Sequence, residues 1–187
     1  MLLALVGITG IGKSYFTEIL ERELGFKRVH TIRTRKMRAG EVNGKTGYFM
    51  SEEEVENLKK EGKIAYDFKV FEGTYAYLKD EIFSKDNYVF EMHYTTIYDW
   101  KKVAPDVVTI YILPTDINMA IQKTKERNLS PEKEKERIEE LQEHYNRFMG
   151  NKELQKQFDY VVYNNYDEES KDNVVNLVKK VLQQSSK

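Results

Sequence analysis

Leu2-Leu3-Ala4-Leu5-Val6-Gly7-Ile8-Thr9-Gly10-Ile11-Gly12-Lys13-Ser14 is the stretch from which the rest of this chain is read. Leu2 to Val6 is apolar at every position rather than at alternate ones, which predicts a strand buried on both faces, as in a parallel sheet. Gly7 to Ser14 matches G-x-x-x-x-G-K-[ST], and Lys13 to Leu24 carries the period of a helix. Strand, glycine loop and helix in that order make a phosphate cradle. The glycines let backbone N–H groups close around phosphate oxygens, and the helix N-terminus adds its partial positive charge. Lys13 reaches the β- and γ-phosphates, and Ser14 offers a hydroxyl to Mg²⁺. Gly7, Thr9, Gly10, Ile11, Gly12, Lys13 and Ser14 are thus the candidate residues for binding a nucleoside triphosphate.

Downstream, short apolar runs alternate with amphipathic helices. Tyr88-Val89-Phe90, Val107 to Leu113 and Tyr160 to Tyr163 predict further buried strands, while Thr115 to Arg127 and Asp167 to Gln183 predict helices. That alternation is the α/β pattern, a parallel β-sheet flanked by helices. Two stretches interrupt it and read as insertions. Arg33 to Lys85 holds a turn-rich run (Ala39 to Gly44), then a helix with a capping box at Ser51 and Glu54, ended by Gly62. Asn128 to Arg147 is densely charged; Ser130 caps it, Pro131 fits the first turn, and Ile138, Leu141, Tyr145 and Phe148 form its apolar stripe. The terminal Gln-Gln-Ser-Ser-Lys reads as a frayed tail.

Composition narrows the function classes. The 187 residues carry 30 basic and 31 acidic side chains, so no global field favours nucleic acid or an anionic membrane. Without cysteine, disulfide scaffolds, thiolate zinc sites and cysteine nucleophiles are excluded. His30, His93 and His144 are too far apart in sequence to suggest a histidine-built metal site. No run approaches the roughly 20 apolar residues of a membrane span. The N-terminus lacks the basic region and cleavage site of a signal peptide, so a soluble cytoplasmic protein is expected.

The phosphate cradle leaves GTPase, motor and small-molecule kinase open. The guanine-reading motif Asn-Lys-x-Asp is missing, and two polar insertions suit a nucleoside monophosphate kinase, one gripping the acceptor and one closing over the phosphates. Thr31-Ile32-Arg33-Thr34-Arg35-Lys36-Met37-Arg38-Ala39-Gly40-Glu41-Val42-Asn43-Gly44, followed by Phe49 and Ser51, resembles the guanylate kinase pattern T-T-R-x-P-R-x-G-E-x-x-G. With the glycine loop and the tail Asp159 to Asn165, the resemblance spans nearly the whole chain. It implies that Arg35 and Arg38 clamp the phosphate of GMP, with Thr31 and Glu41 in the same acceptor segment. Two guanidinium forks can satisfy a phosphate dianion bidentately, which a lysine cannot.

The resemblance further implies that Arg127 and Arg137 are lid arginines over the transferring phosphoryl group, that Asn164 contacts adenine, and that Glu91 helps Ser14 hold Mg²⁺ through water. Several positions depart from the family pattern. Met37 replaces a proline. The family's Tyr-x-Phe, whose Tyr meets the acceptor phosphate, is here Gly47-Tyr48-Phe49, leaving Tyr48 as the displaced candidate. Tyr-Gly-[ST] has become Tyr75-Ala76-Tyr77. Asp67 falls where a glutamate accepts the guanine N1–H and amino protons, and His93 stands where a second acid follows Glu91.

The expectation is therefore a P-loop kinase of three parts: a core (1–32, 86–127 and 148–187), an acceptor insertion (33–85) and a lid (128–147). It would transfer the γ-phosphoryl of ATP to GMP with Mg²⁺. Another phosphorylated acceptor, such as a different nucleotide or a sugar phosphate, is the nearer alternative. A non-catalytic scaffold module resembling guanylate kinase is the farther one, opposed by the intact Lys13 and Ser14.

Overall fold

In the computed structural model, residues 1–38, 40–70 and 73–185 are described; Ala39 of the turn-rich run and the last two residues of the expected tail lie outside them. The first half of the chain forms β1 (Leu2–Gly7), α1 (Lys13–Leu24), β2 (Lys27–Arg28), β3 (Ile32–Arg33), β4 (Tyr48–Phe49), α2 (Glu52–Lys60), β5 (Ile64–Val70), β6 (Gly73–Leu78) and α3 (Lys79–Ile82). It continues through β7 (Tyr88–Glu91), α4 (Ile97–Val103), β8 (Val108–Leu113), α5 (Ile117–Lys125), α6 (Pro131–Met149), α7 (Lys152–Gln155), β9 (Tyr160–Tyr163) and α8 (Glu168–Ser185). The main sheet runs in the order β2-β7-β1-β8-β9 with all pairs parallel. β1 lies at its centre, and Leu3 to Val6 are fully buried, as an uninterrupted apolar run requires.

The caps read from sequence are those that form. Ser51 and Glu54 exchange both hydrogen bonds of the capping box, and Gly62 turns the chain at φ +69° after α2. Ser130 caps α6 with Pro131 in its first turn. α5 is shorter than the Thr115–Arg127 expected, because the Asp116 side chain caps Asn118 N and starts the helix there.

Two features differ from expectation. The acceptor insertion holds a four-stranded sheet, β4-β3-β6-β5, where only a turn and a helix were read. Its signal was a period-two alternation. Phe68 pairs with Tyr75 and Tyr66 with Tyr77 across the hairpin, while Asp67 pairs with Ala76, so the aromatic rings share one face and Asp67 takes the other. The charged stretch expected as a lid also runs straight into core-packed helix. Leu141 and Phe148 are buried in the main core, and Phe148 stacks on Tyr111 with centroids 3.7 Å apart. The boundary drawn at 147 therefore falls inside α6.

Candidate active site

The glycine loop joins the C-terminal end of β1 to the first turn of α1, with its partial positive charge at the mouth of the sheet. Gly12 sits at φ +92°, a conformation that favours glycine, and a Cβ there would crowd Asn164 Nδ2 at 3.0 Å. Lys13 Nζ donates to the carbonyls of Gly7 (2.9 Å) and Ile8 (3.0 Å), which arches its side chain back over the loop. Burial pushes the Lys13 ammonium below its ordinary pKa, with Glu91 and Glu140 opposing and Arg127 reinforcing. Ser14 Oγ donates to Glu91 Oε1 at 2.7 Å, across from the end of β7. A hydroxyl and a carboxylate at that separation suit a hard cation that keeps most of its ligands as water and substrate phosphate. Among the described residues no group of three or more His, Asp or Glu side chains could hold a metal by itself.

Ser14 and Glu91 also line a cavity of about 380 Å³ whose other walls include Thr31, Arg33, Arg35, Arg38 and Glu41. Glu41 organises it. Its Oε1 accepts from Arg35 Nη2 (2.6 Å), and its Oε2 accepts from Arg35 Nη1 (2.7 Å) and from the Arg38 backbone N–H (2.7 Å). The Arg35 hydrogen bonds chiefly hold the Glu41 carboxyl at about 2, and Glu41 in turn raises Arg35. Arg35 Nε donates to the Tyr75 hydroxyl at 3.0 Å, fixing the plane of the guanidinium.

Of the residues named from sequence, the fold brings Lys13, Ser14, Glu91, Thr31, Arg35, Arg38, Glu41 and Tyr75 to this one region. Others stand apart. Tyr48 pairs with Ile32 and packs in the small core under α2, on the face away from Arg33 and Arg35. Asp67 lies on that same far face, where its Oδ2 meets Lys59 Nζ of α2 at 2.7 Å. The one-residue shift of Tyr48 reverses its side of the pleat, and Asp67, opposite Ala76, takes that same side. Tyr77 is buried against Trp100 and Phe90, its hydroxyl bonded to Thr31, and burial lifts that phenol to about 12. Tyr77 thus reaches the cavity only through Thr31.

Asn164 is buried and engaged at both ends of its amide: Nδ2 donates to the Ile11 carbonyl (2.8 Å), and Oδ1 accepts from Tyr166 N (2.9 Å). It braces the glycine loop and lines a second cavity of about 370 Å³ with Gly12, Tyr15, Tyr166 and Asp167. Ile11 is likewise buried, leaving its backbone to face the loop. Arg127 follows α5 close enough to Lys13 and Tyr166 to act on both. Arg137 Nη1 bonds Glu140 of its own helix at 2.7 Å. His93 Nδ1 meets the Thr95 hydroxyl at 2.6 Å, and burial, His144 and Lys13 all disfavour its charged form.

Because Asp67 is engaged by Lys59 on the far face, Asp67→Asn should leave the ratio of kcat/KM for GMP over AMP within about twofold of wild type. Loss of one half-exposed ion pair should cost no more than about 1 kcal/mol of stability. Kinetics with the two monophosphates and a thermal melt check both.

The guanylate kinase family model matches residues 1–184. The chain belongs to the guanylate kinase family. It is 29% identical to the guanylate kinase of Wolbachia pipientis wMel, over 96% of this chain and 90% of that one. It is 27% identical to the guanylate kinase of Mycoplasma mobile, over 97% and 93%. A crystal structure of guanylate kinase from Anaplasma phagocytophilum superposes with a TM-score of 0.66 at 20% identity, covering 96% of this chain and 85% of that one. The shikimate kinase of Bacteroides thetaiotaomicron superposes at 0.51 with 12% identity over 98% of both, a likeness of fold alone. Membership of the guanylate kinase family fits a glycine loop and an arginine-lined cavity that share a wall. Among the described residues, no helix is long and apolar enough to cross a membrane.

Proposed function

We propose that this protein transfers the γ-phosphoryl group of ATP to the 5′-phosphate of GMP, giving ADP and GDP. The observation that carries the reading is that Ser14, in the first turn after the glycine loop, also lines the cavity walled by Arg35 and Arg38. A triphosphate on the loop and a monophosphate in the cavity would then meet end to end. Lys13 and the loop N–H groups hold the donor phosphates, and Arg35 and Arg38 hold the acceptor dianion. Arg127 and Arg137 neutralise charge developing on the transferring group, once Arg137 exchanges Glu140 for it. Ser14 and Glu91 would hold Mg²⁺, which supplies charge neutralisation between donor phosphates. The acceptor is already an anionic nucleophile, so the work is positioning and electrostatics rather than proton abstraction.

The insertion 33–85 and the outer turns of the stretch 128–147 are the parts proposed to close over the substrates, on a core of 1–32, 86–127 and 148–187. The cytoplasm, where ATP and nucleoside monophosphates are met, is the proposed location. A second reading, phosphorylation of a monophosphate with another base, is favoured by one observation: the Asp67 carboxylate faces Lys59 and not the cavity. A coupled ADP-release assay with GMP, dGMP, AMP, UMP and CMP separates them. GMP should give the highest kcat/KM; a different preferred base selects the second reading, and no ADP with any acceptor overturns both.

A further inference from the structure

Two departures from the family pattern meet in space. Arg33 stands where the pattern has the first threonine of T-T-R, and Gly47 stands where it has the tyrosine of Tyr-x-Phe. A Cβ on Gly47 would lie 3.3 Å from Arg33 Nη1 and 3.4 Å from its Cζ, besides 2.8 Å from the Thr31 carbonyl oxygen. A side chain at 47 and the guanidinium of residue 33 therefore compete for one space. The glycine yields it to the arginine.

We infer that Arg33 is a third arginine of the acceptor-phosphate site, standing in the space that Gly47 vacates. This rests on the kinase reading above and adds a binding residue to it. β3 registers Arg33 against Phe49 and against Tyr75, so its side chain shares the face of both, and it lines the cavity with Arg35 and Arg38. The guanidinium of Arg33 lies 5.7 Å from the centre of the Phe49 ring and that of Arg35 5.6 Å, so one ring orients both forks.

Hydrogen bonding separates a ligand from a brace. Glu41 already accepts two bonds from Arg35 and one from the Arg38 backbone, at 2.6 to 2.7 Å. The bond from Arg33 Nη1 is longer, at 3.1 Å, and the buried Arg33 Nε has no hydrogen-bond partner among the described residues. Glu41 does not need Arg33. Arg33, Arg35 and Arg38 thus bring three guanidinium forks to one cavity, and a planar fork is the side chain that meets phosphate oxygens in pairs.

Steady-state kinetics of Arg33→Met and Arg33→Lys test the assignment, with thermal melts to establish that each variant is folded. For Arg33→Met, KM for GMP should rise roughly 10- to 100-fold while KM for ATP stays within about twofold, and Arg33→Lys should recover part of the loss. The loss in kcat/KM should be larger above the acceptor's second phosphate pKa, about 6, than below it, because only a charge contact distinguishes dianion from monoanion. A brace would weaken both ionic forms alike. An Arg33→Met enzyme with unchanged KM for GMP, an equal rise in both KM values, or a loss independent of pH overturns the inference. An unfolded Arg33→Met transfers these criteria to Arg33→Lys, whose KM for GMP must then rise by at least about threefold. A wild-type protein inactive with every monophosphate would instead fell the kinase reading itself.

Discussion

Lys13→Ala is expected to lower kcat by about a thousandfold or more while the protein stays folded. The Lys13 ammonium hydrogen-bonds the carbonyls of Gly7 and Ile8, both in its own loop, and braces no other element through those bonds. Truncation releases the Gly7 and Ile8 carbonyls from the ammonium at the mouth of the sheet, and the Ile8 carbonyl keeps its bond from the Ile11 N–H at 3.5 Å. The core beneath is set by Leu3 to Val6 of β1 and by Phe16 and Leu20 of α1, none of which lines either cavity. What disappears is the one cation that the loop itself supplies to the donor phosphates, in a site where partial burial makes each charge count for more than it does in water. The depressed pKa of Lys13 belongs to the same argument: an ammonium held in a desolvated loop by backbone carbonyls is poised to exchange them for phosphate oxygens. Measured kcat together with a melting curve checks this. A folded Lys13→Ala enzyme with near-normal turnover would remove Lys13 from the transfer step and with it the mechanism proposed above.

The glycine loop was legible because its demands are local. Lys13 to Leu24 follows from a helix start after Gly12 and a left-handed stop at Gly25, both written in consecutive residues. The parallel sheet was legible for a related reason: a strand apolar at every position has few places to go except between two layers. The acceptor insertion was harder. β5 and β6 announce themselves only by alternation over six or seven residues, and their pairing in turn decides which side chains face the cavity. Asp67 and Tyr48 show the consequence. Each was placed at the site from its position along the chain, whereas the pleat of the strand decides which face its side chain takes. Asn164 shows another limit. Its residue type suits a base contact, but its amide also donates to the Ile11 carbonyl, 153 positions away, a pairing that no local pattern carries. Arg33 lay in the quoted motif throughout without a role of its own, because its closeness to Gly47 is a contact between strands that the motif does not display.

Arg35→Lys should be the most damaging conservative change in the acceptor site. The Arg35 side chain is only 7% exposed and uses all three of its nitrogens: Nε on the Tyr75 hydroxyl, Nη1 and Nη2 on the two oxygens of Glu41. Lysine keeps the charge but offers one nitrogen on a flexible stem, so it cannot hold both carboxylate oxygens and the phenol while facing a phosphate. Two losses follow, and they separate in experiment. First, Glu41 loses its bidentate partner inside a largely desolvated wall, which should lower stability by about 2 to 3 kcal/mol. Second, the Arg38 backbone and Arg33 both lean on Glu41, so the whole phosphate-facing wall loosens together, and KM for GMP should rise about a hundredfold or more with KM for ATP nearly unchanged. A Glu41→Gln control sharpens the reading, since it removes the carboxylate charge but keeps the Arg35 guanidinium. It should destabilise the wall while raising KM for GMP far less than Arg35→Lys does. If the two substitutions instead raise KM equally, Arg35 acts only by holding Glu41 in place, and the direct phosphate contact passes to Arg38 and Arg33.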